Sequence, residues 1–295
     1  MGEKAVLANT NSPDQDRIDF IENCLHYDIP RLESTIYPDG VGVFENLCYC
    51  DEPCEDFLYD VYTPLGAPES KVAFFMIHGG AFVYGDKVNN KNFGMHLALK
   101  SGLPVVNINY RKLPDTDCLG LFDDIALAIR VISEKHGFDT YHFIGDSAGG
   151  YLAVMASYLA TQKAVREELG IEEECDAKVA SIVSICGTYG ASPDTFPGYF
   201  FAEEEEKANL PEFVFDLSKL VDKYGIAPIV AITGDKDFLR DENYALRDRL
   251  EKQGTKVPFF EGISGEGKDA SHIYPVVDPQ WSESIKAIGV MLTYV

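Results

Sequence analysis

The sequence predicts an α/β fold: a mostly parallel central sheet flanked by helices. Three observations carry that expectation. Short, nearly unbroken apolar runs rich in β-branched residues recur along the chain, as strands buried on both faces of a parallel sheet do. Helical patterns separate these runs, and regular alternation of the two belongs to doubly wound sheets. The stretch Tyr141–Gly150 then runs from apolar residues through Gly145-Asp-Ser-Ala-Gly149 directly into the helical pattern Tyr151–Thr161. Strand, glycine corner and helix in that order give a Gly-x-Ser-x-Gly pentapeptide its chemical meaning.

Pro13 to Ser34 opens with a cap at Asp14 or Asp16 and sets Ile18, Ile21, Leu25 and Ile29 at near-helical spacing. Because this helix precedes the sheet, it is either a lid element or packing. Val41–Cys50 and Phe57–Thr63 alternate apolar and polar residues, the pattern of half-buried antiparallel strands, and Pro64–Pro68 is a turn. The buried strands follow at Val72–Ile77, Pro104–Ile108, Tyr141–Ile144, Val179–Ile185 and Ile229–Ile232. Helices are expected at Asn92–Lys100, Leu121–Lys135, Tyr151–Glu168 and Asp241–Gln253. Val257–Ile263 closes the sheet, and Ser282–Tyr294 forms a last helix.

About forty residues before the penultimate strand break the alternation, far more than a crossover needs. They carry Tyr189, Phe196, Tyr199, Phe200, Phe201, Phe213 and Phe215. Gly190–Tyr224 is therefore read as an inserted cap over the mouth of the sheet. Residues 1–295 make one domain, with cap elements at about 1–40 and 190–224. Phe82, Tyr199, Phe200 and Phe201 are the candidates for lining a substrate pocket.

With 48 acidic and 25 basic residues the chain carries a formal charge of −23, which repels phosphate backbones and anionic membrane surfaces. Nucleic acid and membrane are thus poor partners, and oligomeric state is open. No apolar run approaches the ~20 residues that span a bilayer. Seven cysteines, an odd count behind a polar N-terminus without an export layout, place the protein in the cytoplasm. Cys48, Cys50 and Cys54 lack the paired spacing of a structural zinc site.

A serine hydroxyl needs a base to take its proton, and the base needs an orienting carboxylate. On a sheet with this elbow, both come after the nucleophile, acid before base. Of six histidines only His272 follows Ser147. Two carboxylates stand after the penultimate strand. Asp235 sits tight against the strand end, whereas Asp237 lies where a side chain can turn back towards the histidine loop. His78-Gly-Gly-Ala-Phe82 follows an apolar strand, and the N–H groups of Gly79 and Gly80, with that of Ala148, are the expected oxyanion donors. His78, on the wrong side of the nucleophile for the base, is read as a brace of this loop.

Four blocks, His78–Phe82, Asn109–Asp115, Gly145–Gly150 and Gly234–Asp241, resemble the hormone-sensitive-lipase-like carboxylesterases. The resemblance implies an α/β-hydrolase fold with an N-terminal cap, and hydrolysis of short acyl esters without metal or cofactor. It carries the nucleophile onto Ser147, the base onto His272 and the oxyanion donors onto Gly79, Gly80 and Ala148. The acid falls on Asp237, because Asp237-Phe-Leu-Arg-Asp241 matches the family's Asp-x-Leu-x-Asp run. Two departures stand out: Ala81 replaces the usual third glycine, and Ile-Tyr follows the histidine instead of Gly-Phe. Two other functions fit the same framework: an amide or peptide hydrolase, and a binding protein on an inactive hydrolase scaffold.

Overall fold

The structure is a computed structural model and describes residues 13–51, 54–190 and 208–295. Helix α1 (Pro13–Ser34) precedes an eight-stranded sheet. The strands are β1 (Val41–Cys48), β2 (Leu58–Pro64), β3 (Val72–Ile77), β4 (Val105–Ile108), β5 (Thr140–Asp146), β6 (Lys178–Ile185), β7 (Ile229–Gly234) and β8 (Phe259–Gly262). They lie in the order β1-β2-β4-β3-β5-β6-β7-β8; β2 runs antiparallel to both β1 and β4, and every other pair is parallel. After β4 the chain returns to the other side of β3, so strand order reverses between β3 and β5. Open α/β sheets bind ligands at such a switch point, beyond the carboxyl ends of the strands.

Helices α2 (Lys87–Ser101), α3 (Cys118–His136), α4 (Ala148–Thr161), α5 (Lys163–Leu169), α6 (Ser218–Tyr224), α7 (Arg240–Lys252), α8 (Tyr274–Val277) and α9 (Ser282–Met291) are the other described α-helices. Two apolar clusters divide the core by sheet face. One packs α3 and α4 on Phe75, Val106, Phe143 and Ile182. The other packs α2 and α9 on Phe74, Met76, Ile144 and Val230. Successive residues of one strand feed opposite clusters, which explains the unbroken apolar runs. Helix ends follow local chemistry: Asp86 and Asn89 form a reciprocal capping box on α2, and left-handed Gly102 and Gly137 close α2 and α3.

Three expectations change. Strand β2 is not half-buried: Tyr59, Asp60, Val61 and Tyr62 are all buried, because helices cover both sides of a strand lying inside the sheet. The helix read through Tyr151–Glu168 breaks at Gln162, whose backbone is extended; the Arg166 guanidinium and the Cys175 thiol instead donate to the freed Leu159 carbonyl. The histidine loop also contains the short helix α8. Within the inserted stretch, Gly190 and residues 208–224 are described. Tyr151 donates to the Val214 carbonyl and Tyr158 to that of Gly225, so this part is pinned to α4. Among the described residues no helix is long and apolar enough to cross a membrane.

Candidate active site

Ser147 occupies the single residue between β5 and α4, at φ 54° and ψ −122°. Such a conformation costs a non-glycine residue on the order of 1–3 kcal/mol and persists only where its surroundings enforce it. Here the Ser147 N–H donates to the Ile185 carbonyl at 2.9 Å, and its own carbonyl accepts the Gly150 N–H at 2.9 Å. The flanking glycines are required by close approach. A Cβ on Gly145 would sit 2.0 Å from the Gly149 carbonyl oxygen, and one on Gly149 would sit 2.2 Å from that of Ile77. The elbow thus lifts the Ser147 hydroxyl off the sheet at the N-terminus of a buried helix. That hydroxyl has no hydrogen-bond partner among the described residues.

The two expected partners meet each other. His272 Nδ1 donates to Asp237 Oδ1 at 2.7 Å. The Asp237 side chain is fully shielded from solvent while the imidazole keeps about a fifth of its exposure. Burial alone would raise the Asp237 carboxyl. The His272 hydrogen bond and charge, the Thr233 hydroxyl at 2.7 Å and the Leu239 N–H at 3.0 Å outweigh burial and leave it below the usual range. With Nδ1 committed to the carboxylate, a neutral His272 carries its lone pair on Nε2, the nitrogen a base needs. Asp235, the other candidate, accepts instead from the backbone and hydroxyl of Ser264, at 3.1 and 2.6 Å. The acid and histidine loops are clamped together where the Lys236 N–H donates to the Ala270 carbonyl.

On the other flank, His78–Ala81 leaves β3 beside the elbow. Buried His78 donates from Nδ1 to the Gly79 carbonyl at 2.7 Å and stacks on Tyr110, with ring centroids 4.3 Å apart. The Tyr110 hydroxyl donates to the His78 carbonyl. Burial, reinforced by Lys112, pushes His78 down to about 4, so it stays neutral and serves as the brace expected of it.

The N–H groups expected as oxyanion donors differ in what they face. Gly79 lies against Ser147, but its N–H faces the Asp146 carboxylate and helps to hold that buried charge. The N–H groups of Gly80, Ala81 and Ala148 have no acceptor among the described residues. Ala81 adopts φ 53°, a left-handed residue at the position where a glycine is usual. The replacement of glycine is visible in the sequence; the direction in which the backbone N–H points at this position is not.

Two groups not singled out in the sequence support the site. Asn90 Nδ2 donates to Asp146 Oδ1 at 2.6 Å, tying α2 to the residue before Ser147. Asp28 of α1 accepts from the Tyr84 hydroxyl and from Asn89, which fastens the N-terminal helix to the loop carrying Gly80 and Ala81. Cys186 Sγ, an Asp237 oxygen and a ring nitrogen of His272 lie within 4.8 Å of one another. These are donors of metal-ligand type, yet Asp237 and His272 are spent on each other. At the separate cysteine cluster, the Cys48 thiol is used locally: it donates to the Cys50 carbonyl.

Of the expected pocket residues, Phe82 is fully buried and meets Tyr151 edge-on at 5.7 Å. Tyr199, Phe200 and Phe201 lie outside the described residues. A cavity of about 570 Å³ opens between α4, α6 and α7, with Val154, Tyr189, Phe215, Leu217 and Leu246 on its walls. None of Ser147, Asp237 and His272 lines it.

Residues 74–263 match the model of a family described as alpha/beta hydrolase fold. The chain is 28% identical over 200 residues to an ethyl acetate hydrolase of Pseudomonas putida, covering 63% of this chain and 62% of that protein. It is 25% identical over 225 residues to an acetyl-hydrolase of Streptomyces hygroscopicus, covering 73% of each. Among solved structures, esterase B of Lactobacillus rhamnosis with a tributyrin phosphonate superposes with a TM-score of 0.83 at 22% identity, over 95% of this chain and 94% of that one. A bacterial heroin esterase gives a TM-score of 0.70 at 19% identity, over 95% and 91%. At such identities the structural likeness speaks for the fold. The family match covers well over half of the sequence, and on it the protein belongs to the alpha/beta hydrolase fold family, in its hormone-sensitive-lipase-like branch.

Proposed function

We propose that the protein is a serine hydrolase that cleaves short-chain carboxylic esters through an acyl-enzyme. One observation carries the reading: a shielded Asp237 holds His272 by Nδ1 at 2.7 Å, at the end of the sheet where Ser147 stands on a strained elbow. Nε2 takes the Ser147 proton as Oγ attacks the ester carbonyl, and the tetrahedral oxyanion is held by free backbone N–H groups. Gly80 and Ala148 are donors in this mechanism and Ala81 joins them, while Gly79 supports the loop through Asp146. His272 then protonates the leaving alcohol, and water releases the acid by the same relay. The Ser147 hydroxyl is not yet bonded to Nε2; such contacts commonly tighten only once substrate is bound.

The names of the relatives, ethyl acetate hydrolase and acetyl-hydrolase, support a short acyl group. The N-terminal helix and the 190–224 insertion are proposed as the cap that limits acyl length. The odd cysteine count supports a reducing compartment such as the cytoplasm. The test is turnover of p-nitrophenyl acetate by Ser147→Ala. A fall in kcat of roughly 10⁴-fold or more in a folded variant is expected; undiminished turnover would overturn the mechanism. A chain series from acetate to decanoate measures the pocket, and matched ester and amide substrates separate this reading from an amidase.

A further inference from the structure

Cys186 follows β6 and is fully buried. Its φ is 50°, in the left-handed region. Ile273, the residue after His272, has φ 53°, a conformation that a β-branched side chain resists strongly. The two strained residues are joined: the Ile273 N–H donates to Cys186 Sγ at 3.3 Å. The same sulfur lies within 4.8 Å of the Asp237 oxygen and the His272 nitrogen. On its other side, the Cys186 N–H donates to the Ile232 carbonyl, and the neighbouring Ile185 carbonyl accepts the Ser147 N–H. One residue therefore touches the backbone of the histidine loop, faces the acid, and sits next to the anchor of the nucleophile.

We propose that Cys186 is a positioning residue for this reaction: its sulfur holds the Ile273 N–H, and with it the histidine loop, while its S–H faces the Asp237 carboxylate. The inference rests on the ester-hydrolase reading above. Sulfur suits the place because it is large enough to span from the end of β6 to Ile273, and it is a weak acceptor and a weak donor. It bonds the loop without competing strongly with His272 for Asp237. Burial, followed by the Asp237 charge, pushes the thiol well above its usual range, so it remains neutral. The other titratable groups facing this cluster are Asp146, whose charge is coupled to His272, Tyr274 and Tyr189, which both feel Cys186 and Asp237, and Glu242, which feels Asp237.

The test compares Cys186→Ala and Cys186→Ser with wild type on p-nitrophenyl acetate, with thermal melts to report folding. Cys186→Ala is expected to lower kcat about tenfold, the worth of one buried hydrogen bond, with KM within about twofold. Without the S–H the carboxylate loses one donor and bears more strongly on the imidazole, so the acid limb of kcat/KM moves up by about half a pH unit. Cys186→Ser, which keeps a donor and an acceptor, recovers most of the lost kcat. An unchanged kcat in Cys186→Ala overturns the proposal, as does a fall in kcat with an unmoved acid limb, which signals packing alone. A serine variant that melts like wild type yet is no faster than the alanine variant overturns it too. Wild-type turnover abolished by Ser147→Ala establishes the hydrolase reading independently. Failure there sinks both ideas, and failure confined to the Cys186 series sinks only this one.

Discussion

Ile77 and Gly145 are register partners on adjacent parallel strands; β3 ends at Ile77 and β5 one residue beyond Gly145. His78–Ala81 and Ser147 therefore emerge side by side, close enough that a Cβ on Gly79 would come within 3.0 Å of the Ser147 Cβ. A hydroxyl and a row of backbone N–H groups can serve one carbonyl only at such spacing.

Gly80 tests this spacing most directly. At φ 112°, an added Cβ would meet the Tyr84 carbonyl oxygen at 2.1 Å, so Gly80→Ala must displace the loop. Loss of a single oxyanion donor costs roughly 10²–10³ in kcat. Steady-state kinetics of a folded Gly80→Ala are expected to show at least that fall.

The two carboxylates after β7 separate cleanly. Asp237→Asn offers His272 the wrong partner, and kcat is expected to drop by roughly 10⁴ with little change in the melting temperature. Asp235→Asn alters a contact with Ser264 on the far side of the loop and is expected to keep kcat within about tenfold of wild type. Reversed effects would transfer the acid to Asp235.

Asn90 bears on stability. Asp146 is fully buried; burial raises its carboxyl, and the Asn90 amide is the leading group that opposes the rise. Asn90→Ala leaves that carboxylate short of a donor, at a cost of about 1–3 kcal/mol in urea unfolding at neutral pH. A carboxyl raised in the folded state takes up its proton at higher pH than in the unfolded chain. The stability it gives in acid is thus lost as pH climbs through the folded value, and the Asn90→Ala defect should shrink when the buffer is acidified.

Two buried histidines set a slope of the opposite sign. Burial pushes His78 and His142 down to about 4, with Lys112 also lowering His78. Between their unfolded values near 6.5 and about 4, the unfolded chain binds protons that the folded protein refuses. The urea midpoint is therefore expected to fall as pH is lowered across that window. His142→Asn, which keeps a polar partner for Ser181, should flatten the slope by about one proton. A slope that His142→Asn leaves unchanged would show that this histidine titrates normally.

Much of this was legible in the chain itself. The Pro13–Ser34 helix, the alternation of strands and helices, and the elbow at Ser147 are written in patterns that act over a few residues: periodicity, caps and close-packed glycines. The uniqueness of His272 after Ser147 is likewise a fact of order along the chain. What local pattern does not contain is which groups face one another across strands. The covering of β2 on both sides, Asp235 turning to Ser264, Phe82 sinking into the core, and Gly79 facing Asp146 all depend on neighbours dozens of residues away. The same holds for the sulfur of Cys186 beneath the histidine loop, 87 residues from its partner. A residue's type and its near neighbours decide whether it joins a strand or a turn. The direction in which an N–H or a carboxylate points is decided only when the sheet closes and each buried polar group must find a partner.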